Sequence, residues 1–344
     1  MSPGSAAFSV VIPTYRRRSS LEKVLHGLAG QQWPPDLLEA IVVSDGADDG
    51  SAEMVRSFPA PFPLYLLEQA NQGPAAARNL GLASARGPFV LFLDDDVVPS
   101  TRLVAEHASA HSGAGDRVVM GTMLEPPGHL LPWVRWESRT LADQYAAMVA
   151  GLWKPTPWQF YTGNASLRLD HLRRAGGFDP RFRRAEDVEL GFRLERIGLE
   201  FVFAPDAAAT HIAERGFGSW LDSAYQYGRT DVLFGKGEER GAVEFRKRHP
   251  LTRRLVLWGL RHPSAARRLA GSAERAIRAA DALGRRRLAH QLCSAVFNLQ
   301  YWLGVSDQLE SGAQALRLAG AGSRAGLLSR TRTGLPIGGR SHRS

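Results

Sequence analysis

The 344-residue sequence contains a single cysteine, Cys293, which excludes an internal disulfide bond. The residues around it, HQLCSAVFNL, are largely apolar. We therefore predict a packed thiol without a reactive role. A chain that uses no disulfide fits a reducing compartment.

The sequence also lacks a long apolar segment. No run approaches the roughly 18 apolar residues that a membrane-spanning helix requires. No basic residue precedes the short apolar run near the N-terminus, where a signal peptide would carry one. These absences predict a cytoplasmic protein, either free or peripheral at the inner face of the membrane.

Acidic residues are scarce in the last third of the chain. The whole sequence has a net charge of +9, but residues 241–344 contain 19 Lys and Arg against 5 Asp and Glu, whereas residues 1–240 contain 24 against 29. A basic segment of this kind suits an anionic surface, either membrane lipid or nucleic acid. An arginine-rich surface that is simply solvated explains it equally well. The sequence has no nucleic-acid-binding motif, which disfavours the nucleic-acid alternative.

Apolar strands and helices alternate over the first hundred residues. The predicted strands are residues 8–13, 39–45, 62–68 and 89–93. One predicted helix repeats leucine and valine at helical spacing from Leu21, and another begins at Pro74. This alternation predicts an α/β fold with a doubly wound sheet, in which ligands bind at the carboxyl ends of the strands.

Three regions follow from this pattern and from the charge. Residues 1–240 are predicted to be the α/β domain, residues 241–320 a helical, basic C-terminal region, and residues 321–344 a disordered tail. Within the second region, RRRLAHQLCSAVFNLQYWLG carries an apolar stripe that predicts a helix ending at Gly304. The segment RRAEDVELGFRLERIG predicts a further helix, which stops at Gly198.

Asp94, Asp95 and Asp96 directly follow the buried run Phe89–Leu93. Adjacent carboxylates repel one another, and their pKa values rise unless a cation or hydrogen-bond donors neutralise them. The triplet is therefore either an acidic solvated loop or a ligand site at the end of a strand.

Four segments, taken in order, decide between these alternatives: VVIPTYRRRSSLEKVL, IVVSDGADDGS, NQGPAAARNLGLASARGPFVLFLDDD and TGNASLRLDHLRRAGGFDPRFRRAEDVELGFRLERIG. Together they resemble the family 2 glycosyltransferases, an inverting group with the GT-A fold, over residues 8–240. The resemblance implies a Rossmann-like, doubly wound mixed sheet, to which this chain adds its helical, basic extension.

In that family the acidic triplet is the D-x-D motif, which holds a divalent metal against the diphosphate of the donor. The resemblance implies Mg²⁺ or Mn²⁺ as cofactor, with Asp96 as the direct ligand. It places Asp94 on the ribose side and in the ligand set, and Asp95 in the nucleotide-sugar site. His211 corresponds to a late histidine that related enzymes use as an additional metal ligand; a structural histidine is the alternative.

The resemblance also implies a base pocket at the ends of the first two strands. Pro13, Thr14 and Tyr15 line it, and Asp45 hydrogen-bonds to the base. The family commonly has two aspartates before the glycine, but here the first of them is Ser44. The identity of the base therefore stays open.

Further donor contacts follow from the same comparison. Arg78 supplies positive charge to the diphosphate or sugar, with a surface salt bridge as the alternative. Gly163 allows close backbone approach, and Asn164 bonds sugar hydroxyls. Trp153 and Trp158 flank this segment, either to stack on sugar or to pack in the core.

The pair Glu186 and Asp187 resembles the family's E-D motif. The resemblance makes Asp187 the general base that takes the proton of the acceptor hydroxyl, with Glu186 orienting it or binding the acceptor. An ordinary acidic first turn, favoured by the helix dipole, is the alternative.

These residues predict an inverting, metal-assisted hexosyltransferase that uses a UDP- or dTDP-sugar and a hydroxyl acceptor. Cell-envelope polysaccharide, glycolipid and natural-product glycosylation are the expected settings. A catalytically inactive GT-A scaffold and a nucleic-acid-binding basic protein are the alternatives. The C-terminal region either meets an anionic membrane surface, packs on the catalytic domain or forms a homodimer contact.

Overall fold

The computed structural model describes residues 7–320 except 47, 114–115, 183, 213–214, 238–249 and 310. Its strands are β1 (Phe8–Thr14), β2 (Leu38–Asp45), β3 (Leu64–Gln69), β4 (Phe89–Leu93), β5 (Val97–Pro99), β6 (Arg117–Leu124), β7 (Asn164–Arg168) and β8 (Glu200–His211). Its helices are α1 (Arg18–Ala29), α2 (Ser51–Ser57), α3 (Pro74–Ser84), α4 (Leu103–His111), α5 (Pro132–Val149), α6 (Leu169–Arg174), α7 (Glu186–Arg196), α8 (Phe217–Gly237), α9 (Pro250–Arg261), α10 (Pro263–Ala282), α11 (Arg286–Gln308) and α12 (Gly312–Gly320).

The chain divides into two compact units. The first consists of the described parts of Met1–Gly128 and Leu141–Ala213, and the second of those of His129–Thr140 and Glu214–Ser344. The predicted domain boundary at residue 240 and the predicted tail, 321–344, lie outside the described residues. Both stay predictions.

The first unit is built on one mixed sheet with the order β3-β2-β1-β4-β7-β6-β8-β5. Strands β1 to β4 run parallel to one another, whereas β7 is antiparallel to both β4 and β6. The β-branched runs of β1 and β2 are buried along almost their whole length, as expected for strands covered on both faces. The predicted α/β mixed sheet is confirmed.

Helices cover both faces of this sheet. Helices α1, α2 and α4 contribute apolar side chains to one core cluster, and α3, α6 and α7 contribute to the other. The parallel order of β3, β2, β1 and β4 brings the carboxyl ends of these strands to the same edge. Residues that follow β1, β2 and β4 in the sequence therefore meet there.

The second unit is helical and contains α8 to α12. Its apolar core includes Trp302, which is fully buried among side chains of α8, α9 and α12. Cys293 on α11 is also buried, and this burial raises the pKa of its thiol to about 12. The prediction of a packed cysteine is confirmed, and the absence of a reactive role stays a prediction. Among the described residues, no helix has both the length and the apolar content needed to cross a membrane.

The prediction that Gly304 ends its helix is wrong, because α11 continues to Gln308. Gly304 lies where α11 crosses α8, and a Cβ added to it would come 2.0 Å from the backbone oxygen of Tyr225. Gly228 on α8 makes the reciprocal approach, with 1.9 Å to the backbone oxygen of Tyr301. The two glycines allow the backbones of the helices to touch.

Gly304→Ala is therefore expected to destabilise the second unit by about 2 kcal/mol, because the new methyl group meets rigid backbone. Gly271→Ala on α10 is the matched control. A Cβ there meets nothing within 4 Å, so the higher helix propensity of alanine should stabilise the protein by up to about 1 kcal/mol. Thermal unfolding of the two variants measures both effects, and equal melting temperatures would contradict the close-contact account.

Candidate active site

The three aspartates leave the end of β4 in a tight turn, in which the backbone oxygen of Asp94 accepts from the amide of Val97 at 3.1 Å. Their side chains point to three different sets of partners. The carboxylate of Asp94 is 38% exposed, whereas those of Asp95 and Asp96 are each 9% exposed. The triplet is therefore not a freely solvated acidic loop.

Asp95 and Asp96 are held by the end of β1 and by the loop that leads from it to α1. The hydroxyl of Thr14 donates to Asp95 Oδ2 at 2.8 Å, and Arg17 Nη1 lies 3.4 Å from Asp95 Oδ1. Arg17 Nη1 also contacts Asp96 Oδ2. On its other side, Asp96 Oδ1 lies 3.5 Å from Nε2 of His211, at the end of β8.

These surroundings shift the pKa values of the two carboxyl groups in opposite directions. Burial raises the pKa of Asp95 to about 7, in spite of the opposing charge of Arg17. Burial would also raise the pKa of Asp96, but the hydrogen bond and charge of His211, with the charge of Arg17, lower it to about 2. Asp96 is therefore ionised at neutral pH, as a cation ligand must be.

Asp94 faces a different partner, the buried guanidinium of Arg78 on α3. Arg78 Nη2 donates to Asp94 Oδ1 at 2.7 Å, and its Nη1 donates to Glu186 Oε1 at 2.7 Å. The guanidinium also lies over the ring of Phe178, 5.6 Å from its centroid. Arg78 thus joins the end of β4 to the start of α7, two acidic segments that are far apart in the sequence.

Asp187 occupies the first turn of α7, beside Glu186. The residue is half-buried, and its Oδ1 accepts from the amide of Val188 at 2.8 Å. Burial of the carboxyl group, together with the charge of Glu186, raises the pKa of Asp187 to about 7 although Arg78 opposes the shift. Ala185, which precedes this pair, has a left-handed backbone with φ 56°.

Asp45 ends β2 and organises the loop that leads into α3. Its Oδ1 accepts from the Gln69 side chain at 2.7 Å and from the Gln72 amide at 2.8 Å, and its Oδ2 accepts from the Gly73 amide at 2.8 Å. On the neighbouring strand β1, Pro13 is half-buried, and Tyr15 just beyond the end of that strand is 42% exposed.

The segment before β7 contacts the acidic turn through its glycine. A Cβ on Gly163 would come 3.0 Å from Asp94 Oδ2 and 3.1 Å from Met123 Sδ, so a larger residue would require these side chains to shift. Asn164 points into the sheet, where its Nδ2 donates to the backbone oxygens of Thr122 and Ala207 and its Oδ1 lies 2.8 Å from His107 Nε2. The structure therefore brings Gly163 to the aspartates, whereas the amide of Asn164 is engaged in cross-linking strands.

Of the two flanking tryptophans, Trp158 is 43% exposed and meets the ring of Phe192 edge-on, with 5.1 Å between ring centroids. Trp153 is half-buried. The partial exposure of Trp158 leaves one of its surfaces accessible to a ligand.

Asp96 and His211 are the side chains best placed to hold a divalent cation. Within the described part of the chain, no three His, Cys, Asp or Glu side chains converge into a ready-made metal site. Mg²⁺ and Mn²⁺ fit such a partial set, because they commonly bind one or two carboxylates and complete their coordination with phosphate oxygens and water. The cationic Arg17 on Asp96 shows that this position accepts positive charge.

Arg17 is the site residue that the sequence prediction missed. It is the middle residue of the run RRR just after β1, and the sequence gives no reason to choose Arg17 over the arginines on either side. The structure separates them. Arg16 makes an exposed ion pair with Asp48, whereas Arg17 lies on two buried carboxylates.

Residues 9–175 match the model of the family described as Glycosyl transferase family 2. An uncharacterized glycosyltransferase of Bacillus subtilis, YfnE, is 28% identical over 254 residues, which cover 59% of this chain and 64% of that protein. The validoxylamine A glucosyltransferase of Streptomyces hygroscopicus subsp. limoneus is 32% identical over 219 residues, or 56% of this chain and 48% of the relative. The chain thus spans less than two thirds of the length of these two curated relatives.

A solved mannosyltransferase of Pyrobaculum calidifontis, in complex with GDP-Man and Mn²⁺, superposes with a TM-score of 0.58 at 20% identity, covering 89% of this chain and 87% of its own. Residues 1–349 of Staphylococcus aureus TarS, in complex with UDP-GlcNAc, give a TM-score of 0.52 at 18% identity. The superposition covers 88% of this chain and 92% of the TarS chain. At this identity the superpositions establish the fold. Family match, relatives and fold agree: residues 9–175 carry a family 2 glycosyltransferase domain, and the fold is the GT-A fold.

Proposed function

We propose that this glycosyltransferase moves a sugar from a nucleoside-diphosphate donor, with UDP- and dTDP-sugars as the expected donors, to an acceptor hydroxyl in a single inverting displacement. The observation that carries the proposal is the bridge made by Arg78. Its guanidinium, 2.7 Å from both Asp94 and Glu186, joins the acidic turn to the pair that contains Asp187. Leaving-group and acceptor functions would then lie side by side at one edge of the sheet.

The donor would lie along the ends of β1, β2 and β4. The exposed ring of Tyr15 offers a face to the base, with Pro13 and Thr14 beside it. We assign Asp45 the task of holding the loop between β3 and α3, because its carboxylate accepts two hydrogen bonds from that loop and one from Gln69 at the end of β3. Complexes of the two structural neighbours with GDP-Man and UDP-GlcNAc support a nucleotide-sugar donor here.

Asp96 and His211 would hold Mg²⁺ or Mn²⁺, with Asp94 at the edge of this set because its Oδ1 is engaged by Arg78. A bound divalent cation supplies positive charge that stabilises the departing diphosphate. The Mn²⁺ in the Pyrobaculum calidifontis complex supports this cofactor class.

Asp187 would take the proton of the acceptor hydroxyl. A base acts best when its pKa lies near the working pH, and the raised pKa of Asp187 meets that requirement. Glu186 is fixed by Arg78 and would keep Asp187 oriented. Attack from the face opposite the leaving diphosphate gives inversion of the anomeric centre.

The rate should consequently rise with pH through about 7. Asp187 accepts a proton only as a carboxylate, and its raised pKa keeps it largely protonated below that pH. At saturating donor and metal, kcat is expected to fall about tenfold for each pH unit below the pKa. A pH-rate profile between 5 and 9 measures this dependence, and a flat acidic limb would exclude a base with a raised pKa.

Release of nucleoside diphosphate from UDP-, dTDP- and GDP-sugars, with and without Mn²⁺, tests the proposal. Slow hydrolysis of one donor class, dependent on Mn²⁺, is the expected result even without the acceptor. Binding of a nucleotide without turnover of any donor, with or without a panel of hydroxyl acceptors, would favour the inactive scaffold instead.

We further propose that the second unit meets an anionic membrane surface. Helices α9 and α10 combine arginines with exposed apolar side chains, among them Leu251, Trp258 and Leu269. This composition suits the lipid interface and would bring the enzyme to a glycolipid or cell-envelope acceptor. Co-sedimentation with phosphatidylglycerol vesicles at low salt, absent with phosphatidylcholine vesicles, is the expected result. If the protein binds neither kind of vesicle, packing or a homodimer contact is left as the role of this surface.

A further inference from the structure

Arg17 occupies the carboxylate that the proposed function gives to a divalent cation. Its Nη1 contacts Asp96 Oδ2 and lies 3.4 Å from Asp95 Oδ1, and both carboxylates are 9% exposed. The Arg17 side chain itself is 46% exposed. The guanidinium is therefore anchored in the site while nearly half of the side-chain surface is exposed to solvent.

The backbone directly before Arg17 is strained. Arg16 has φ 54°, in the left-handed region that non-glycine residues rarely adopt. Among the described non-glycine residues only Arg16 and Ala185 have positive φ, and they directly precede Arg17 and Glu186. Strain of this kind persists where the surrounding contacts enforce it, which is common at functional sites.

A guanidinium and a divalent cation compete for one carboxylate oxygen, because two positive groups that close together repel each other. Arg17 therefore opposes a cation at Asp96 Oδ2, and we expect it to leave that oxygen when a cation binds there. The partial exposure of the Arg17 side chain leaves room for the guanidinium to turn outward, toward the strand ends on which the diphosphate would lie. Guanidinium groups bind phosphate oxygens through paired hydrogen bonds.

We infer that Arg17 is an exchangeable counter-charge that occupies the cation position in the absence of donor and binds the diphosphate of the donor once the cation is in place. This inference rests on the proposed function. It predicts that metal and nucleotide bind cooperatively. A cation arriving alone displaces Arg17 without compensation, whereas a cation arriving with a diphosphate gives Arg17 a new anionic partner.

The test uses the full chain and measures binding, not activity. Electron paramagnetic resonance of free Mn²⁺ gives the affinity for Mn²⁺ alone. Calorimetry at saturating Mn²⁺ gives the affinity for the tightest-binding of UDP, dTDP and GDP. Arg17→Ala is expected to bind Mn²⁺ alone about tenfold more tightly than the wild type, and the nucleotide about tenfold more weakly.

Two further variants separate the parts of the inference. Arg17→Lys keeps a competing cation but loses the paired phosphate contact, so its Mn²⁺ affinity should match the wild type while its nucleotide affinity falls. Arg56→Ala removes the same charge from an exposed ion pair with Glu68 and should alter neither affinity.

The outcomes are distinguishable. Unchanged or weaker Mn²⁺ binding by Arg17→Ala, with metal-dependent nucleotide binding intact in the wild type, overturns the role of Arg17 and leaves the proposed function standing. If circular dichroism shows that Arg17→Ala does not fold, Arg17→Lys decides the question. A nucleotide affinity in Arg17→Lys equal to that of the wild type overturns the role of Arg17. A wild type that binds none of the three nucleotides, with or without Mn²⁺, overturns both.

Discussion

Asp187→Asn is expected to lower kcat for sugar transfer by about 10²- to 10⁴-fold, the range that a positioned general base contributes. The amide keeps the shape of the side chain but cannot accept the proton of the acceptor hydroxyl. The affinity for nucleoside diphosphate should stay within about twofold of the wild type, because a residue that acts only in the chemical step affects kcat and not ground-state binding. Steady-state kinetics and calorimetry together measure the two effects.

Glu189→Gln is the matched control. Glu189 lies in the same first turn of α7, but its carboxylate is paired with Arg193, 2.6 Å away. This variant should retain nearly full activity. Equal loss of kcat in the two variants would mean that the first turn needs negative charge in general, and would remove Asp187 from the role of base.

Arg78→Met is expected to affect both stability and activity. The substitution keeps an apolar stem over Phe178 but leaves the carboxylates of Asp94 and Glu186 without their shared partner. Removing one member of a buried charge pair typically costs about 3 kcal/mol or more. The unfolding transition of the first unit should shift downward by roughly 6 to 12 °C, and turnover should be lost with the geometry of the site.

A second substitution tests whether unpaired charge causes that loss. In Arg78→Met/Glu186→Gln, one of the two stranded carboxylates is neutral, so about half of the lost stability should return. No recovery would indicate that Arg78 stabilises the fold through packing alone. A wild-type melting temperature in Arg78→Met would contradict the bridge itself.

Local patterns in the sequence were sufficient to predict the four parallel strands and the residues at their ends. Buried parallel strands read as continuous apolar runs, and chemistry at their carboxyl ends follows from the topology, as Thr14 and the aspartate turn illustrate. Helix α7 was also predictable, because apolar residues recur at helical spacing before Gly198. At Gly304 the same type of signal misled, because a glycine at a helix crossing and a glycine at a helix end look alike in sequence.

Partner choice within the site was not predictable from the sequence, because it depends on side-chain directions. Three adjacent aspartates look equivalent, yet Asp94 points to Arg78, Asp95 to Thr14 and Asp96 to His211. Asn164 shows the reverse case, since its polar amide suggested a sugar contact and the structure engages it within the sheet. These roles follow from three-dimensional packing, which sequence spacing does not encode.

A thermal-shift panel of UDP, dTDP and GDP, each with and without Mn²⁺, tests the central claim most directly. Ligands that bind the native state raise the melting temperature by mass action. We predict that one of the three nucleotides raises the melting temperature of the wild type only when Mn²⁺ is present. The same nucleotide should leave the melting temperature of Asp96→Ala unchanged. No shift with any nucleotide, or an equal shift in Asp96→Ala, would contradict a metal-dependent nucleotide-sugar site at the end of β4.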